Sequence, residues 1–329
     1  MGRNLRSSGA PVVRGHTADG QDTSGHMDQA ADGLPGLDQD LDDDGLAEAV
    51  VFVDADRRVD PLTGLTKGDV ADYYRQVAPW LLPEAAYRPL AVAGEAGAAG
   101  GLERRHHADL GRHVHPVPPH PLDPATAGFY ISGVTGLLQL VRADALELHG
   151  RAASIRQPGQ PDRLAFDLSP GAGADPAPLR AAALAMRERL QAAGLTSYLR
   201  VGGDGGLQVV APVADVPDWG RLQAFASAQI AALTGQWPER YAIAHADADD
   251  ARIVLRPAHP TPASTALCNW SLRVTGDGLR VALPLRWEAL HAADAPAAPD
   301  VATALRHAAR LRSDPWMGIA TLRQPLPPG

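Results

Sequence analysis

Cysteine is nearly absent. The 329-residue chain has one, Cys268, which excludes an internal disulfide and any metal centre built on several thiolates. Flanked by Leu267 and Asn269, it is expected to be a small packed residue. Lysine is as scarce: of 30 basic side chains all but Lys67 are arginine. No apolar run approaches the ~20 residues that a membrane-spanning helix needs. The N-terminus lacks the charged-then-apolar pattern of a secretory leader, so a cytoplasmic protein with no membrane partner is expected.

The chain also lacks an excess of positive charge. Residues 1–60 hold 13 acidic and 5 basic side chains, and the remaining 269 residues hold 25 of each. The N-terminal part therefore carries the whole net charge of −8. Residues 1–46 are rich in Gly, Asp and Ser without periodicity and are expected to form a disordered acidic tail. Such a tail can compete with phosphate for a basic groove or simply keep the chain soluble. Apolar content of 45% marks the rest as globular, and one domain is expected over residues 47–326.

What is present centres on Leu164 to Gly171. Leu164–Leu168 reads as a short apolar strand broken by Pro170-Gly171. Asp175 and Pro176 then open a helix with Leu179, Ala182, Ala183, Met186 and Leu190 on one face, closed by Gly194. Tyr198–Val201 and Leu207–Val213 are strands joined by the glycine-rich turn Gly202–Gly206. Upstream, Ala49–Val53 reads as a strand. Thr66 caps a helix with Asp69 at N3 and Val70, Tyr73, Tyr74 and Val77 inward. Trp219–Thr234 is helical. Ser264–Ser271 and Arg280–Pro284 read as an antiparallel pair turned at Gly276–Gly278, and Asp300 caps a last helix through Leu311. Between Gly94 and Pro121, His106, His107, Asp109, His113, His115 and His120 offer metal ligands, but their spacing matches no closed zinc motif. A solvated loop is expected there.

The central block resembles the polymerase domain of bacterial ligase D, a branch of the archaeo-eukaryotic primase superfamily used in non-homologous end joining. The resemblance extends through Gly64–Asp69, Arg88-Pro89-Leu90, Ala145–His149, Asp314-Pro315-Trp316 and Leu322-Arg323-Gln324, covering residues 47–326. It implies an α/β (α+β) fold with mixed, mostly antiparallel sheets flanked by helices. Asp167 and Gln208 should lie on neighbouring strands of a central cleft. In the family, three aspartates hold two divalent ions that clamp the oxygens of nucleotidyl transfer. Here the corresponding positions are Asp167, Ser169 and Arg256, and Gln208 replaces a histidine. Hard cations need anionic oxygens, and arginine puts a permanent positive charge where an ion would sit. The catalytic motif is therefore expected to be vestigial, with no metal and no cofactor. Asp247, Asp249 and Asp250 are the nearby carboxylates that a shifted register could recruit. Glu103 and Arg104 stand where the family has base-stacking aromatics.

The resemblance also implies that Lys67 and Arg57 contact the 5′-phosphate of a recessed DNA end, and that Arg273 reaches a nucleotide triphosphate. Lys67 and Arg273 also read as ordinary solvated and strand residues. Three functions stay open. One is a catalytically silent relative, a pseudoenzyme, that binds DNA ends weakly or meets Ku or ligase proteins. Another is an active nucleotidyltransferase with a rebuilt Mg²⁺ or Mn²⁺ site. The third is a protein scaffold that has left nucleic acids.

Overall fold

Alternation along Leu164 to Ser169 sends Leu164, Phe166 and Leu168 to one face and Ala165, Asp167 and Ser169 to the other. This is strand β5 (Arg163–Pro170), near the middle of a six-stranded sheet in the computed structural model. The model describes residues 50–95, 109–118, 128–171, 177–243, 252–291 and 297–327. The acidic tail, residues 103–107, His120, Asp175, Pro176 and the aspartates at 247–250 lie outside the described residues.

The sheet comprises β5, β6 (Tyr198–Val201), β7 (Leu207–Pro212), β8 (Tyr241–Ile243), β9 (Ile253–Pro257) and β13 (Leu283–Leu285). Their order is β13-β6-β7-β5-β9-β8, and only β8 and β9 run parallel. Helices α3 (Ala177–Ala192) and α4 (Trp219–Gln236) cover its apolar face. Asp218 caps α4 by accepting from the Arg221 amide at 2.8 Å. Gly194, at φ 79°, lies just past α3, in the left-handed region where a side chain is strained.

A second sheet has the order β10-β4-β1-β3-β2, from β1 (Leu90–Ala93), β2 (Val114–Pro116), β3 (Phe129–Ile131), β4 (Glu147–Arg151) and β10 (Thr265–Leu267). It is antiparallel throughout. Helix α1 (Lys67–Ala85) begins with the expected capping box between Thr66 and Asp69 and buries Val70, Tyr73, Tyr74 and Val77. It packs on α2 (Val134–Arg142) and α5 (Val301–Ala308). The Tyr73 hydroxyl donates to the Trp270 carbonyl at 2.7 Å. The Tyr74 hydroxyl donates to Leu146 O and accepts from the Leu272 amide. One continuous cluster of buried apolar side chains joins both sheets.

Several boundaries differ from the sequence reading. Residues 50–53 form no strand, and Val51 and Val53 are exposed. Strand β5 continues through Ser169 and Pro170, which pair with Val254 and Ile253. At the strand's end a missing N–H costs little. The stretch 264–271 is not one strand: β10 ends at Leu267, Trp270 turns at φ 62°, and β11 (Leu272–Thr275) begins in a separate hairpin with β12 (Gly278–Val281). Likewise 280–284 divides at Ala282 between β12 and β13. The two breaks bond each other, Trp270 N to Ala282 O at 2.7 Å and Ala282 N to Ser271 O at 3.0 Å. Helix α5 ends three residues before Leu311.

Candidate functional site: a cleft crossed by a polar row

Strand register sets four polar side chains in a line. Arg200 of β6 stands opposite Gln208 of β7, Gln208 opposite Asp167 of β5, and Asp167 opposite Arg256 of β9. The side chains are bonded as well as aligned. Gln208 Nε2 donates to Asp167 Oδ1 at 2.6 Å, and Gln208 Oε1 accepts from Arg200. Arg200 Nη1 also reaches Glu84 Oε1 at 3.2 Å and Asn269 Oδ1 at 3.1 Å. Its guanidinium lies over the Trp316 ring, 5.4 Å from the centroid.

This row lies along a cleft of about 180 Å³ between the two sheets. Asp167, Ser169, Gln208, Arg256 and Arg273, expected to mark the site, all line it. Asp167 is partly accessible, yet the atoms packed around it raise its carboxyl above the usual range. The Gln208 amide and the charges of Arg256 and Arg200 pull the other way without prevailing. Ser169 follows on the same face two residues later and is neutral. Arg256 is exposed at the cleft edge.

The opposite wall comes from β4 and β11. Glu147, fully buried, accepts from the Val274 amide at 2.8 Å and faces His149 Nε2 at 2.9 Å and Arg273 Nη1 at 3.2 Å. Burial alone would raise its carboxyl, but those partners hold it below the usual range. Arg273 thus lines the cleft while tethered to an acid. Its stem also explains the glycines of the turn before β7: a Cβ on Gly203 would lie 2.1 Å from Arg273 Cβ. Gly205, at φ 85°, is the turn residue whose backbone itself requires glycine.

The pair of divalent ions that the sequence resemblance implies does not fit these residues. One carboxylate is available at the motif positions, it already accepts the Gln208 amide, and a guanidinium occupies the third position. No ligand set for hard cations results. Among the described residues no group of three or more His, Cys, Asp or Glu side chains could hold an ion.

Lys67 and Arg57, predicted together from sequence, do come together. Lys67 is buried and pairs with Asp54 Oδ1 at 3.0 Å and Asp144 Oδ1 at 2.7 Å. Arg57 pairs with the same two acids and with Glu95. Asp144, in the left-handed region at φ 67° just past α2, reaches both cations. Hydrogen bonds from Arg57 and then Lys67 hold the Asp54 carboxyl below its usual range. Two cations therefore meet three carboxylates.

Sequence reading missed Arg200, Glu147 and Asn269. A signal existed for two of them. Arg200 is a lone charge in the buried strand Tyr198–Val201, and Glu147 alternates with His149 in an otherwise apolar run. Asn269 gave none. Cys268 is buried as expected, and burial pushes its thiol up to about 12.

Residues 66–316 match the family described as LigD, primase-polymerase domain. The chain is 30% identical over 182 residues to the Multifunctional non-homologous end joining DNA repair protein LigD of Mycobacterium tuberculosis, covering 50% of this chain and 23% of that protein. It is 26% identical over 278 residues to the Multifunctional non-homologous end joining protein LigD of Pseudomonas aeruginosa, covering 82% of this chain and 32% of that one. The match thus spans a quarter to a third of these relatives' length. A solved structure, the polymerase domain from Mycobacterium tuberculosis ligase D in complex with DNA, has the same fold, with TM-score 0.72 at 24% identity over 83% of this chain and 98% of that chain. No helix among the described residues is long and apolar enough to cross a membrane.

Proposed function

This chain belongs to the LigD primase-polymerase domain family, and from that premise we propose that it is a catalytically silent member, serving end joining by binding a DNA end rather than extending it. The observation that carries this reading is the row Arg200–Gln208–Asp167–Arg256. Nucleotidyl transfer builds negative charge on the transferring phosphoryl oxygens, which two clamped cations normally offset. Here Asp167, the one carboxylate at the motif positions, is held by an amide and faced by arginine. Asp204 also lines the cleft and acts on it, but among the described residues no third acidic or imidazole ligand joins them to hold such ions.

DNA contact falls to the mouth of α1. The first N–H groups of α1 are already donated, Lys67 N to Arg57 O, Gly68 N to Ala55 O and Asp69 N to Thr66 Oγ1. The anion is therefore favoured by the helix dipole and by the side chains of Lys67 and Arg57, the latter able to add a forked contact. A 5′-terminal phosphate would compete with Asp54, Asp144 and Glu95 for these cations. Affinity is therefore weak and salt-sensitive, and Ku or ligase proteins are the natural partners to supply the rest. The same three carboxylates favour a second reading, a scaffold that no longer touches nucleic acid.

Two assays separate the readings. Primer extension with Mg²⁺ or Mn²⁺ should give no product, and extension by the purified wild type, lost in Asp167→Ala, would overturn the silent reading. Gapped DNA with a 5′-phosphate should bind better than gapped DNA without one at low salt. Lys67→Ala should erase that preference, a loss of roughly tenfold. Equal binding of the two DNAs by the wild type puts the scaffold ahead.

A further inference from the structure

A second pocket, of about 280 Å³, opens where α3 ends and β6 begins, lined by Arg187, Gln191, Leu195, Thr196, Ser197 and Trp287. Strand alternation puts Ser197 with Leu199 and Val201, on the face that the helices cover, whereas Arg200 points to the cleft. The pocket is thus on the other side of the sheet from the polar row. Its floor is held in place. Gln324 accepts from the Thr196 amide at 2.7 Å and donates to the Thr196 carbonyl at 3.1 Å. The Trp287 indole N–H donates to the Ser197 carbonyl at 2.7 Å, which stands the ring against the strand. The Arg187 guanidinium lies over that ring, 4.8 Å from its centroid.

Two polar groups here are unanswered. Ser197 is more than nine-tenths buried, yet its Oγ has no hydrogen-bond partner, a costly state for a hydroxyl out of water. Arg187 has the indole for company, but among the described residues its N–H groups meet no acceptor and no carboxylate pairs with it. A guanidinium laid flat on a ring keeps its N–H fork free and pre-set. Charge then narrows the ligand. Arg187 is the one charged residue of the lining, and its chain neighbour Glu188 and Trp287's neighbour Glu288 are exposed acids. A dianion would find a single cation. A carboxylate carries one charge, fits the fork with both oxygens and keeps a lone pair for a hydroxyl. At the end of α3 the carbonyls of Arg189, Leu190 and Gln191 already accept from Ala193, Leu195 and Gly194, so they do not face the anion bare. The rest of the wall, Leu195 and the indole, is apolar and suits an apolar body.

We propose that this pocket binds a carboxylate carried on an apolar body, with the Arg187 fork on both oxygens and the Ser197 hydroxyl donating to one of them. This goes beyond the functional reading above and does not rest on it. A free organic acid and the C-terminus of a peptide share that chemistry.

The test titrates the full chain with phenylpropionate, following the Trp287 indole N–H in proton–nitrogen correlation spectra at constant pH and ionic strength. The shift should saturate with a Kd of about 1 mM, as a fragment of this size gives. Phenylpropionamide, the neutral isostere, should bind about tenfold more weakly or not at all. Arg187→Gln should remove the difference between acid and amide. Ser197→Ala should melt no lower than wild type, since it deletes an unmet hydroxyl, yet bind the acid several-fold more weakly. A serine kept for packing alone would leave binding unchanged. Acetyl-glycyl-phenylalanine with a free terminus separates the sources: tighter binding than phenylpropionate assigns a peptide end, and equal binding assigns a free acid. Should either variant fail to fold, the wild-type comparison of acid with amide decides alone. No shift at Trp287, or equal binding of acid and amide by the wild type, overturns the proposal.

Discussion

Asp167 and Glu147 line or flank the same cleft, yet their surroundings move them in opposite directions. Asp167 is raised because packing strips its solvent and only one hydrogen bond replaces it. A raised carboxyl means that the folded state binds the proton more tightly than the unfolded one. Its charge therefore costs stability above the folded value, and that cost fades as pH falls. Asp167→Asn, which keeps an acceptor for Gln208, should raise Tm at pH 7, with the gap closing toward pH 4. A variant that melts lower than wild type at both pH values would contradict this. Glu147 is depressed, so its contribution is present above the unfolded carboxylate value and lost as pH drops through the folded one. Glu147→Gln leaves Arg273 and His149 without their anion and should cost about 3 kcal/mol at pH 7 in denaturant unfolding. At the helix mouth the sign concerns binding. Asp144→Asn withdraws one of the acids shared by Lys67 and Arg57 and should tighten binding of 5′-phosphorylated gapped DNA several-fold, read by titration at low salt.

At the scale of elements, the glycine turn between β6 and β7 is fitted to Arg273 of the facing hairpin. Gly203→Ala would force that stem away, an overpacking that should cost about 1–3 kcal/mol, while Gly235→Ala, with open space around it, should cost nothing measurable. Equal melting of the two variants would contradict the fit. Much of this architecture was legible in the sequence because its determinants are local. Thr66 and Asp69 specify the start of α1 within four residues, and Gly194 ends α3. The pairing of Asp167 with Gln208, 41 residues apart, comes from the family resemblance instead. The breaks at Trp270 and Ala282 were not legible, because each is justified by bonds to the other and by a tyrosine of α1. Nor was the company of Lys67 and Arg57. Asp144 lies 87 residues beyond Arg57, and nothing in its own neighbourhood points to a cation.

Across the whole molecule, charge is partitioned rather than graded: an acidic N-terminal stretch and a neutral remainder. Without a basic surface, few counterions are displaced on meeting DNA. The logarithm of affinity should fall against log salt with a slope of about −1 to −2. A slope several times steeper would mean a broad cationic groove rather than contact at Lys67 and Arg57. Helix α1 has a consequence of another kind. Its two tyrosines bond to Trp270 and Leu272, 197 and 198 residues further along the chain. During synthesis the helix leaves the ribosome long before its acceptors exist. Until the last third is made, its apolar face has no complete seat, so closure is late and governed by chain connectivity. Nascent chains stalled before residue 270 should stay open to protease at α1, and chains extended past residue 308 should become resistant there in one step.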